Sequence, residues 1–126
     1  MTRLALAIDA AHPAFEGHFP SRPIVPGVVL LDVSLRAIAT NFGIGQDQFA
    51  AMICKIGSAK FLSPVGPGEP LRLEVESTRK GSAESGVPFA SYAMRVFAGN
   101  GANQRIAVTG TVSFEPRVVD VRVVHV

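Results

Sequence analysis

One long, mainly apolar stretch without helix-breaking residues lies in the first third of the chain. Residues 28 to 42 (VVLLDVSLRAIATNF) contain no glycine or proline, and Gly43 follows directly. This length and this ending are typical of an α-helix of about four turns, because glycine commonly ends helices. Apolar side chains occupy most of its circumference, so we expect a central helix that is buried on several sides.

Beyond the helix the hydrophobic pattern has a period of two. Apolar and charged residues alternate from 71 to 76, which indicates a strand with one buried face. Further strands are predicted at 4–8, 51–62, 89–98, 104–115 and 117–125, with loops at 13–27 and 64–70 and a tight turn at Gly99-Asn100-Gly101. One helix and several antiparallel strands predict an α+β domain whose sheet wraps the helix.

Composition narrows the class of protein. A chain of 126 residues that is 48% hydrophobic fits one globular domain over residues 1–126. The net charge is +2 and the 12 basic residues are scattered, which disfavours nucleic acid and suits an acidic protein partner.

Cys54 is the only cysteine and lies among apolar residues, so we expect a small buried side chain and no disulfide. No apolar run is long enough to span a membrane, and we expect a cytoplasmic protein.

The richest segment chemically is residues 12 to 32, HPAFEGHFPSRPIVPGVVLLD. Its four prolines and two glycines stiffen the loop around His18, and a side chain held in place suits catalysis. At the helix start, the N–H of Gly27 is free to bind a developing oxyanion. Asp32 lies about one turn further in, where burial would raise its pKa and the helix dipole would lower it, so its protonation state stays open.

These residues resemble the active-site segment of the 3-hydroxyacyl-(acyl carrier protein) dehydratases of fatty-acid synthesis. The resemblance rests on G-H-F-P at 17–20, P-x-x-P-G at 23–27, and an acid 14 residues after the histidine. A second block, FLSPVGPGEPLRLEVE at 61–76, is similar to that family's strand, P-x-x-P-G-[DE] turn and next strand.

This resemblance implies a hot-dog fold, a curved antiparallel sheet around one long helix, working as a homodimer or a higher even oligomer. His18 would face Asp32 of the partner subunit. Elimination of water needs a base, an oxyanion donor and an acid, and His18, the Gly27 N–H and Asp32 would supply them in that order. The acyl chain, carried on the phosphopantetheine of acyl carrier protein, would contact a set of mainly apolar residues: Phe15, Phe19, Pro26, Val28 and Phe61. No metal or other cofactor is expected, and the aspartate resembles the branch that also isomerises the double bond.

One position departs from the resemblance, because Arg36 replaces the usual glutamine one turn after the acid. Asp32 and Arg36 form an i, i+4 pair, so a salt bridge would keep the aspartate ionised and weaken it as a proton donor, unless Arg36 points toward solvent or the partner. This departure makes Arg36 a candidate modulating residue and supports a non-catalytic subunit that binds acyl carrier protein.

A hot-dog thioesterase is the other alternative, which G-H-F-P disfavours. Acyl chain length, isomerase activity and pathway stay open. We expect ordinary surface or hydrogen-bonding roles for His12 and His125. We expect the same of Arg22, Lys60 and Arg95, with docking of an acidic carrier as a hypothesis for these three.

Overall fold

Among the described residues, the fold consists of one α-helix and five strands. The computed structural model describes residues 1–8, 24–44, 52–82 and 88–116, and its elements lie within these ranges. The helix is α1 (Gly27–Asn41), and the strands are β1 (Thr2–Leu6), β2 (Met52–Phe61), β3 (Leu71–Ser82), β4 (Pro88–Ala98) and β5 (Arg105–Pro116). Within this described part, no helix is long and apolar enough to cross a membrane.

Helix α1 lies within one residue of the predicted range at each end. It begins directly after Pro26, whose φ of −57° suits a helix start. At its end, Phe42 N–H donates to the Ile38 carbonyl at 3.0 Å and Ile44 N–H to the Ala39 carbonyl at 2.8 Å. Gly43 between them has a φ of +82°, which glycine adopts without steric cost and which closes the last turn.

The burial of α1 differs from the expectation. Leu30, Ser34 and Ile38 lie one turn apart on a single buried face, and the Ser34 hydroxyl donates to the Leu30 carbonyl at 2.7 Å. Val28 is 71% exposed. Burial is therefore deepest on one face, whereas other apolar residues of the helix are only partly buried against the core: Val29, Leu31, Val33, Leu35 and Ala37.

The five strands form one antiparallel sheet in the order β1-β3-β4-β5-β2. Strands β2, β4 and β5 match their predicted ranges within one residue. β1 begins and ends two residues earlier than predicted, and β3 continues six residues beyond 76. The predicted turn at Gly99-Asn100-Gly101 is confirmed and leads into a short 3-10 helix at Gly101–Asn103, whereas the predicted strand 117–125 lies outside the described residues.

The core lies between α1 and the alternate residues of the sheet that face it. Leu73, Val96, Val108 and Phe114 are fully buried there. Tyr92 packs between Phe42 and Phe114, with ring centroids 4.7 and 6.0 Å away. Register shifts interrupt the β2–β5, β3–β4 and β4–β5 pairings, and irregularities of this kind bend strands and increase their twist. This architecture confirms the predicted α+β hot-dog fold, while its extension over the whole of 1–126 as one domain stays a prediction.

Candidate functional site

A pocket of about 590 Å³ lies where α1 begins. Its wall is apolar apart from the Ser63 hydroxyl and the exposed backbone, and it is formed by Ile24, Val25, Gly27, Val28, Leu30, Leu31, Phe61, Leu62, Ser63 and Pro64. The structure therefore brings together Gly27, Val28 and Phe61, three of the residues predicted to bind substrate. Pro26 immediately precedes α1 and does not line the pocket.

The backbone at the start of α1 offers hydrogen-bond donors to this pocket. The Val29 and Leu30 N–H groups both donate to the Pro26 carbonyl, at 3.0 and 3.2 Å. Within the described part of the chain, the N–H groups of Gly27 and Val28 have no backbone acceptor. Because the helix dipole is positive at this end, these two donors can stabilise an oxygen that gains negative charge.

The ring of Phe61 lies directly against the α-carbon of Gly27. A Cβ added to Gly27 would meet three atoms of the Phe61 ring at 2.5 to 2.9 Å. Glycine is thus required here for close approach, and any larger residue must displace the ring. Phe61 ends β2 and is 54% exposed, so its ring covers the helix start while staying open to solvent in the single chain.

The loop between β2 and β3 holds the segment that leads into α1. Val25 N–H donates to the Val65 carbonyl at 2.7 Å, and both side chains are buried. This contact fixes the chain two residues before Gly27. The position of the helix start therefore depends on the conformation of residues 62–70.

Glu69 and Arg105 fix that conformation. The Glu69 carboxylate accepts hydrogen bonds from the Gly66 N–H at 2.7 Å and from Arg105 Nη2 at 2.8 Å. Arg105 Nη2 also donates to the Pro64 carbonyl at 2.8 Å. The Arg105 hydrogen bond, helped by that of Gly66, lowers the pKa of Glu69 against the opposing effect of burial. Neither residue was predicted as functional. The position of Glu69, three residues after Gly66 in the P-V-G-P-G-E turn, could have indicated that its carboxylate binds the backbone of this turn.

Asp32 and Arg36 form the predicted i, i+4 pair. Arg36 Nε lies 3.1 Å from each oxygen of the Asp32 carboxylate, which confirms the salt bridge. Their side chains are 59% and 55% exposed for Arg36 and Asp32. Asp32 does not line the pocket of its own chain, and its exposure shows that the expected burial of its carboxylate is wrong for the single chain.

The other residues considered from the sequence have varied placements. His12, Phe15, His18, Phe19, Arg22 and His125 lie outside the described residues. Cys54 is half-buried, and burial raises the pKa of its thiol, which disfavours a nucleophilic thiolate. Lys60 is exposed, whereas Arg95 pairs with Glu74 at 3.4 Å. Across the described ranges, no three His, Cys, Asp or Glu side chains cluster as metal ligands would.

The fold and this pocket define a hot-dog protein with an apolar cavity at the helix start. Residues 1–100 match the ApeI-like family, described as ApeI dehydratase, and the chain belongs to that family. It is also 38% identical, over 76 residues, to the 3-hydroxyacyl-[acyl-carrier-protein] dehydratase FabZ of Gluconacetobacter diazotrophicus. That match covers 57% of this chain and 47% of the relative, so the chain spans about half the length of the curated relative.

Two solved structures share the fold. An (R)-hydratase from A. caviae, involved in PHA biosynthesis, is 26% identical and superposes with a TM-score of 0.60 over 92% of this chain and 93% of that one. The dehydratase heterocomplex ApeI:P from Xenorhabdus doucetiae is 21% identical, with a TM-score of 0.57 over 90% of this chain and 85% of the other. The second likeness concerns the fold alone.

Proposed function

We propose that this protein dehydrates a 3-hydroxyacyl thioester carried on acyl carrier protein and releases the trans-2-enoyl thioester. The observation that carries the proposal is the apolar pocket at the start of α1, which is lined by Gly27 and Val28, whose N–H groups have no backbone acceptor among the described residues. A thioester needs such donors at its carbonyl and an apolar space for its acyl chain. Membership of a dehydratase family supports the same chemistry.

The reaction requires three groups around the thioester. His18 removes the proton from the carbon next to the thioester carbonyl, and the electron pair moves toward the carbonyl oxygen. The Gly27 N–H stabilises the charge on that oxygen. Asp32 gives a proton to the departing hydroxyl, so that water leaves and a carbon–carbon double bond forms. Phe19, Val28 and Phe61 border the acyl chain.

In this proposal Asp32 acts in the site of a partner subunit. Its carboxylate is exposed and lies outside the pocket of its own chain, which favours action on a second chain. β2 is an edge among the described strands, and Ile53, Ile56, Phe61 and Leu62 on it or just after it are exposed. An exposed apolar edge strand promotes pairing with another strand, so we place the homodimer interface at β2.

Turnover of 3-hydroxyacyl carrier proteins of several chain lengths, followed by mass spectrometry, tests the proposal. The wild type should remove one water from at least one substrate, and His18→Ala and Asp32→Asn should each abolish that loss. Release of a free acid would identify a thioesterase, which also polarises a carbonyl at a helix N-terminus. Undiminished water loss in His18→Ala would refute the assigned base.

One observation favours a second candidate, a non-catalytic subunit that binds acyl carrier protein. Arg36 Nε lies 3.1 Å from both oxygens of the Asp32 carboxylate, so the side chain assigned as the general acid is already engaged by its own helix. Such a subunit would bind the acylated carrier without changing it, and a related catalytic chain would complete its site. Binding without water loss at any chain length would decide for this candidate.

A further inference from the structure

Three arginines surround a single carboxylate on the face of the sheet that points away from α1. Glu74 is only 7% exposed. Arg3 Nε lies 3.1 Å from its carboxylate, Arg95 Nη2 3.4 Å and Arg72 Nη2 3.8 Å. The Glu74 carboxylate neutralises one of the three arginine charges. The exposed Glu76, on the same face of β3, can neutralise at most one more. The cluster therefore keeps a positive charge.

A second pocket, of about 350 Å³, adjoins this cluster at the β1 edge. Arg3 and Arg72 line it, together with the amide side chains of Asn100 and Gln104 and the ring of Phe97. No acidic side chain is among its lining residues, and Glu74 lies outside the lining. The pocket thus offers donors and positive charge, although Glu74 behind its wall also pairs with Arg3 and Arg72.

Arg72 has an unfilled donor in this region. Its Nε is buried and has no hydrogen-bond partner among the described residues. Its guanidinium lies 4.9 Å from the centroid of the Phe97 ring, a cation–π contact that holds the group in place. A fixed, buried N–H without an acceptor costs free energy, so the Glu74 carboxylate leaves the hydrogen-bonding capacity of Arg72 incompletely used.

We propose that this second pocket binds the phosphate group of a phosphorylated small molecule. Guanidinium groups bind phosphate through several charge-assisted hydrogen bonds, and two arginines suit its double charge. The amides of Asn100 and Gln104 can donate to its remaining oxygens. This inference is independent of the dehydration site, since the two pockets have no lining residue in common.

Calorimetric titration of the full chain with inorganic phosphate, against sodium chloride at matched ionic strength, tests the proposal. Saturable binding of phosphate should weaken by at least about tenfold in Arg72→Gln and in Arg3→Gln. Arg95→Gln is the matched control, because Arg95 shares Glu74 and contacts Phe97 at 5.8 Å but does not line the pocket. It should bind phosphate within about twofold of the wild type.

Two further titrations separate the sources of the phosphate. Tighter binding of pantetheine 4′-phosphate than of inorganic phosphate would indicate the carrier's prosthetic group, and tighter binding of adenosine 3′,5′-bisphosphate would indicate a free nucleotide cofactor. Thermal unfolding midpoints verify that each variant is folded, and Arg3 is exposed enough for its replacement to spare the fold. Absence of saturable phosphate binding to the folded wild type, or equal weakening in all three variants, would overturn the proposal.

Discussion

Arg36 donates to the Asp32 carboxylate one helical turn earlier in α1, with its Nε 3.1 Å from both carboxylate oxygens. Both side chains are more than half exposed, so the pair contributes little to the free energy of folding. Its importance is chemical, because the carboxylate that Arg36 engages is the group assigned to give a proton in the proposed elimination. The pair is thus expected to restrain catalysis by this chain.

Replacing Arg36 with glutamine should raise the rate of water loss. Without the hydrogen bonds from Arg36, worth about 0.5 to 1 kcal/mol for an exposed pair, the Asp32 side chain is no longer held on its own helix and can turn toward the substrate, which should raise kcat by about twofold to fivefold. Arg36→Lys, which keeps the positive charge, is the control and should leave kcat near the wild-type value. Steady-state kinetics on one 3-hydroxyacyl carrier protein measure kcat for both variants. A lower kcat in Arg36→Gln would contradict the proposal that Arg36 restrains catalysis by Asp32.

Gly27→Ala should impair catalysis through the ring of Phe61. The new Cβ would overlap the ring, which must then move over the helix start. We expect kcat/KM to fall by about tenfold or more, and the double variant with Phe61→Leu to recover part of the loss. Gly43→Ala is the control: it forces alanine to a φ of +82°, which should lower the free energy of unfolding by about 1 kcal/mol and leave kcat/KM unchanged. Equal loss of kcat/KM in the double and single variants would count against the role of Phe61.

Local rules predicted the regular elements well. Pro26 and Gly43 mark the ends of α1, and the i, i+4 spacing anticipated the Asp32–Arg36 pair. The full length of β3 was missed, because residues 77–82 (STRKGS) lack apolar alternation and are kept in the strand by backbone pairing with β4. Backbone pairing of this kind leaves no trace in side-chain periodicity.

The site was predictable only where its residues are near in sequence or carry a motif. Gly27 and Val28 follow from the helix start, and Phe61 from the resemblance. Arg105 lies 36 residues from Glu69, so their hydrogen bond depends on how the loop folds back on β5. The depth of burial on each side of α1 was not predictable, because a helix that is apolar around most of its circumference does not show which side packs most closely on the sheet.

Glu69→Gln should destabilise the protein in a pH-dependent way. The pKa of Glu69 is lowered in the folded state, so its contribution is complete above the unfolded pKa of about 4.3 and is lost as the pH falls through the lower folded value. At pH 7 we expect the variant to lose about 1 kcal/mol of unfolding free energy, since the Arg105 pair is partly exposed.

Urea unfolding across a pH series measures this effect. The difference between wild type and Glu69→Gln should stay constant from about pH 7 to 5 and shrink at lower pH. Glu115→Gln is the control, because Glu115 pairs at 3.2 Å with an exposed lysine, Lys55, and should change the unfolding free energy by less than about 0.5 kcal/mol. A difference that persists undiminished in acid would rule out the proposed ionic origin.

A lysine at Ile56 should separate the proposed dimer and abolish water loss. Ile56 lies on β2, among the exposed apolar side chains of that edge, and a charge there must be desolvated if a second chain covers it. Ala5→Lys places the same charge on the exposed opposite edge strand, β1, and should leave both mass and activity unchanged. Analytical ultracentrifugation gives the mass, and circular dichroism verifies folding. Because Asp32 is proposed to act in the partner's pocket, a folded Ile56→Lys monomer that still removes water would show that each chain holds a complete site.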